Sequence, residues 1–179
     1  MKPATSSVGC LIIALAALLP GISCMDERTI VKDLAVEVND ALTAYINVHD
    51  DVFELKAARV TPIPGIFEAI DFAKHVQSLV AVENELVQIG VAIRSSRDQG
   101  IQATIVADVL VSFDAYRSAL LITVQEFKMI SERLYEKSQN PGYYRWDTYQ
   151  QDMDRYERSI DRYSELGDEL NTVYQRLRS

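Results

Sequence analysis

Apolar positions recur every three or four residues through four long stretches of the chain, and alternation with a period of two is nowhere sustained. In the first stretch Val31, Leu34, Val38, Leu42, Tyr45, Val48, Val52 and Leu55 fall along one helical face. The second runs from about Ile66 to Ile93, with Ile70, Ala73, Val76, Val80, Val87 and Gly90 as its stripe. Val106, Val109, Phe113, Tyr116, Leu120, Val124, Phe127 and Leu134 mark the third, and Tyr149, Met153, Tyr156, Ile160, Tyr163, Leu170 and Leu177 the fourth. Breaks fall where Pro and Gly gather, at Pro62, Pro64 and Gly65, at Gly100, and at Pro141 and Gly142. The pattern predicts an all-α protein, an antiparallel up-down bundle of four long helices joined by short connections over Thr61–Gly65 and Arg94–Gly100.

The N-terminus has a different pattern. Lys2 is the only charge before Asp26, and Leu11 to Leu19 is an unbroken apolar run that ends in Pro20 and Gly21. A positive residue, an apolar core of this length and small residues at its end predict a cleaved export signal. Gly21-Ile22-Ser23-Cys24 then resembles the cleavage site of bacterial lipoproteins, although that family usually has Leu where Gly21 stands. The resemblance implies diacylation of Cys24 and a place in the bacterial cell envelope, facing the periplasm. It covers residues 1–24 only. The same residues allow two other outcomes: release of a soluble protein beginning at Cys24, or retention of the apolar run as a membrane anchor. The expected organisation is a signal over 1–23, a lipid-anchored tether over 24–29 and the bundle over 30–179.

Composition narrows the chemistry. Both cysteines, Cys10 and Cys24, precede the bundle, so its core must hold it together without an internal disulfide. The chain carries 18 basic and 26 acidic residues, a net charge of −8. That balance argues against nucleic acid as a partner and favours a lipid over charge attraction as the link to an anionic membrane. It also leaves room for a basic protein partner.

The candidate metal ligands are His49, His75 and Asp71. The two histidines lie at similar distances from the Pro62 turn, and Asp71 precedes His75 by four residues. The Glu-x-x-His pairs of bundle metal sites are missing, however, and Asp50 and Asp51 beside His49 suggest a solvated face. The sequence therefore predicts neither a metal nor another cofactor. No serine elbow, activated cysteine or phosphate-cradling loop is recognisable, which points away from an enzyme.

Aromatic residues are unevenly placed. Seven of the nine tyrosines and the single Trp follow residue 134. Tyr149, Tyr156 and Tyr163 are spaced by seven and suit a core stripe. By contrast, Tyr143, Tyr144, Arg145, Trp146 and Tyr149 surround a loop, where Tyr, Trp and Arg tend to form contact surfaces. The expectation is a lipid-anchored, non-enzymatic bundle that binds a partner protein, as an immunity or inhibitor protein or as an accessory of a secretion machine. The rival is a periplasmic carrier or sensor that binds a ligand or metal within the bundle.

Overall fold

The computed structural model describes residues 25–57, 72–98 and 103–178. Four α-helices make up nearly all of this: α1 (Met25–Ala57), α2 (Phe72–Asp98), α3 (Thr104–Gln139) and α4 (Trp146–Arg178). At 1.5 Å per residue the longer helices span about 50 Å. Cross-helix contacts fix their directions. Glu83 meets Gln125 and Lys128, while Leu86 meets Arg117, so α2 and α3 are antiparallel. Arg133 meets Asp152 and Tyr116 packs on Tyr163, so α3 and α4 are antiparallel as well. Glu27 reaches Ala103 near the start of α3, whereas Tyr45 packs on Phe127 farther along, which makes α1 and α3 parallel. The result is the expected up-down four-helix bundle.

Helix α3 lies against all three of the others, and most closely against α4 and α2. Between α1 and α4 the contact is made by long aromatic side chains. Tyr45 and Tyr156 share a buried hydroxyl hydrogen bond, and Tyr45 also meets Tyr163 edge-on with ring centroids 6.4 Å apart. Phe127 stacks on Tyr156 at 5.2 Å and fills the space beneath. Burial pushes the hydroxyls of Tyr45, Tyr116 and Tyr156 well above the usual tyrosine pKa, so they remain protonated.

The stripes of α1 and α3 are buried as the spacing predicts, apart from Leu55, whose side chain is outside the description, and Leu134, which is half-buried. In α4, Tyr156, Tyr163, Leu170 and Leu177 are buried, and Tyr149 lies half-buried at the rim. Helix α2 differs from expectation. It buries Phe72, His75, Leu79, Val82, Leu86, Ile89 and Ile93, and leaves Val80 and Val87 exposed. Apolar residues occur around most of this helix, and the face richer in Phe, Leu and Ile removes more surface from water than one of Ala and Val. Among the described residues of the expected stripe only Gly90 is buried, and for a specific reason. The Arg117 guanidinium lies over it so closely that a Cβ at position 90 would come 2.8 Å from Arg117 Cζ. Arg117, itself buried, donates to the Leu86 carbonyl and to Asp114 and Ser118.

Two expected boundaries also move. The helix α1 begins at Met25, so residues 25–29 are its first turns and not a free tether, and Glu27 accepts a hydrogen bond from the Ala103 amide. That amide would otherwise be left open at the start of α3, where Ala103 supplies no side-chain cap. Helix α2 runs on to Asp98, through most of the connection expected to begin at Arg94. The signal, Cys24, Asp71 and the breaks at Pro62, Pro64, Gly65 and Gly100 lie outside the described residues.

Candidate functional site

The α3–α4 turn is built from its own sequence. Helix α3 stops at Asn140, whose amide still bonds to Glu136, and Pro141 cannot continue the ladder. The Asn140 side chain accepts from the Gly142 amide and its carbonyl accepts from Tyr143, closing the turn. Trp146 then opens α4.

Beneath the turn lies a buried ionic latch. Asp152 is only 1% exposed and its carboxylate accepts from three side chains: the Tyr144 hydroxyl at 2.6 Å, Arg155 at 2.6 Å and Arg133. Burial alone would raise the Asp152 pKa. The hydrogen bonds from Tyr144 and Arg133 and the two guanidinium charges outweigh it and hold the carboxyl below its usual value. Arg133 is shifted up chiefly by the same hydrogen bond to Asp152, and its guanidinium also lies 5.8 Å from the centre of the Tyr144 ring. Lys137 donates to the Tyr144 carbonyl and ties the turn to α3 a second time.

This latch divides the loop residues singled out from sequence. Tyr144, expected on a contact surface, is buried at 3% exposure, with its hydroxyl committed to Asp152. Of the two consecutive tyrosines, the one with a carboxylate within reach points inward. Tyr143 and Trp146 are 58% and 66% exposed, and Arg145 is exposed beside Asp147. Tyr149 is half-buried and supports them, with the Trp146 ring stacked on it at 5.4 Å and the Tyr144 ring edge-on at 5.8 Å. Four of the five residues, three aromatics and Arg145, are thus exposed or half-buried around the turn, and the fifth anchors the turn from below.

A groove of about 530 Å³ opens beside this surface between the first turns of α2 and the last turns of α3. Ala73, Val76 and Met129 give it an apolar floor, and Tyr135 and Tyr143 stand at its edges. Gln77, Glu132, Arg133 and Glu136 supply its other polar groups. Spacing alone did not single out this groove, because its parts come from two helices and a turn. The exposed Tyr135, one turn before the end of α3, was the nearest available signal.

Of the candidate metal ligands the structure describes His49 and His75, and Asp71 lies outside the described residues. His49 does not sit on a solvated face. Its ring packs on Phe53 at 4.7 Å and on Phe127 at 5.8 Å, and its Nδ1 lies 3.2 Å from Asp50. Tyr45, His49 and Phe53 are spaced by four and share the α1 face that meets α3 and α4, whereas Asp51 falls on the exposed face. His75 is buried on α2. Among the described residues no group of three or more His, Cys, Asp or Glu side chains is placed to hold a metal ion.

No protein-family model, curated protein or solved structure matches the chain. Its function must be read from its own surface. By length and composition α2 could cross a bilayer, yet its larger apolar side chains turn into the bundle.

Proposed function

We propose that this chain is an envelope lipoprotein of bacteria that acts by binding a partner protein, with the α3–α4 turn as its contact surface. It is exported, cleaved before Cys24 and held at the membrane by acyl chains on that residue, and it performs no catalysis of its own. The observation that carries the reading is the pairing of an exposed Tyr143–Arg145–Trp146 surface with a buried latch that holds it in place. Aromatic and Arg residues on a preorganised turn lose little entropy on binding, and such residues dominate the energetics of protein contacts. An immunity or inhibitor protein, or an accessory of a secretion machine, fits this description, and the acid-rich composition suits a basic partner.

Helix α1 begins at Met25, directly after Cys24, so a lipid there would leave almost no spacer between bilayer and bundle. The mass of the N-terminal peptide tests the anchor. A diacylated Cys24 is expected, and an unmodified Cys24 would leave a soluble exported protein. Recovery of a stoichiometric partner by the detergent-solubilised chain, and its loss when Tyr143 and Trp146 are changed to Ala, tests the contact surface.

A further inference from the structure

Beside the exposed aromatic surface, the groove between α2 and α3 has a chemistry of its own. Glu132 and Glu136 are four residues apart on α3, so their carboxylates are neighbours on one helical face. Like charges at that spacing repel, and neither is in an ion pair among the described residues. The positive groups close to them are already committed. Arg133 is bound to the buried Asp152, Lys137 to the Tyr144 carbonyl, and Lys128 to Glu83. The two carboxylates therefore line the groove together with Val76, Gln77 and Met129 and with Tyr135 and Tyr143, 41% and 58% exposed, beside the Arg133 already paired with Asp152.

We infer that this groove seats a lysine side chain of the partner protein. Its stem would lie along the apolar floor and its ammonium between the two carboxylates and the tyrosine rings. Each part of the site matches a part of that side chain. An alkyl stem buries against methyl and thioether groups, while an ammonium is attracted both to carboxylates and to the negative faces of aromatic rings. A cation placed between Glu132 and Glu136 also relieves their mutual repulsion, which the free protein must carry. An anionic or purely apolar occupant would leave that repulsion in place. The occupant rests on the partner-binding reading given above, but the chemistry of the groove can be tested without the partner.

The full chain is titrated with a capped Leu-Lys-Leu peptide, with the same peptide acetylated on lysine, and with choline, following the methyl resonances of Val76 and Met129. The charged peptide is expected to shift both resonances, and the acetylated one to bind about tenfold more weakly. Changing Glu132 and Glu136 together to Gln weakens the charged peptide by a similar factor and leaves the acetylated one unchanged. Tyr143→Leu, which keeps an apolar wall and removes the ring face, weakens the charged peptide more than the acetylated one. Equal binding of the two peptides, or no shift of either methyl, overturns the proposal. Binding of choline without binding of the lysine peptide also overturns it, since the groove would then belong to a small solute. Failure here leaves the turn surface standing, because Trp146, which does not line the groove, tests that surface separately in partner capture as Trp146→Ala. Failure of partner capture alone removes the protein occupant while the peptide titration still reports the groove.

Discussion

Asp152 concentrates the energetics of the functional end in a single side chain. A carboxylate at 1% exposure is tolerated because three donors satisfy it, and removing the carboxylate leaves the buried Tyr144 phenol without its acceptor, while Arg133 and Arg155 are part-exposed and Arg155 keeps Glu126. Asp152→Ala is expected to cost about 1–3 kcal/mol in urea unfolding, since the part-exposed guanidinium groups are resolvated while the buried phenol loses its acceptor. Tyr144→Phe removes one neutral donor and should cost about 1–2 kcal/mol, since both arginines still hold the carboxylate. The pH dependence has a definite sign. The folded pKa of Asp152 lies below its unfolded value of 3.8, so its contribution is present above that value and is lost as pH falls through the folded one. In Asp152→Asn the acid limb of the stability profile should therefore be shallower. An unchanged acid limb would show that the latch carries no charge-dependent stability.

At the level of elements, the helix pairs differ in what joins them. Between α2 and α3 the Gly90–Arg117 contact is an interlock, which makes a prediction of opposite signs. Alanine at 90 improves helix propensity by about 1 kcal/mol, but its Cβ displaces a buried guanidinium from the Leu86 carbonyl. Gly90→Ala should destabilise the wild-type chain and stabilise the Arg117→Ala variant, as a double-mutant cycle in urea would reveal. Between α1 and α2 charge opposes the packing. Burial raises the pKa of Glu85, and Asp40 and Glu37 opposite raise it further. An acid whose folded pKa is raised is penalised when ionised, so Glu85→Gln should raise the melting temperature at pH 7, and the gain should disappear near pH 4 where the wild-type carboxyl is largely neutral.

The helices themselves were legible in the sequence because a periodic apolar stripe needs only local information. In α2 the periodicity was correct but the face was not, since valines and alanines line one side while leucines and isoleucines line another. Choosing between them depends on what α1 and α3 offer. The exposed part of the turn was legible from its Tyr, Arg and Trp, whereas the Tyr144–Asp152–Arg133 latch was not. Its members are separated by eight and nineteen residues, and only the antiparallel register of α3 and α4 brings them together. His49 was misplaced for a related reason. Its aspartate neighbours in sequence suggested water, but residues four apart decide which face a helix buries.

Among the described residues, the molecule has an aromatic core and one end where large aromatics, an Arg and a groove come together. That end lies at the α3–α4 turn and the start of α2. The start of α1, where the acyl chains would be, lies at the opposite end of the bundle, because α1 and α3 are parallel and α3 finishes at the turn. On the proposed reading, a lipid on Cys24 would lie about 50 Å along the bundle from the proposed contact surface, one helix length away. This arrangement suits a protein that meets a partner in the periplasm more than one that meets a partner within the membrane. The most direct test of the account is quantitative capture of envelope protein by the detergent-solubilised chain and by its Tyr143→Ala/Trp146→Ala variant, with melting temperatures measured alongside. One stoichiometric partner bound by the wild type and lost by an equally stable variant is the predicted result. A partner held equally by both, or none held by either, would contradict it.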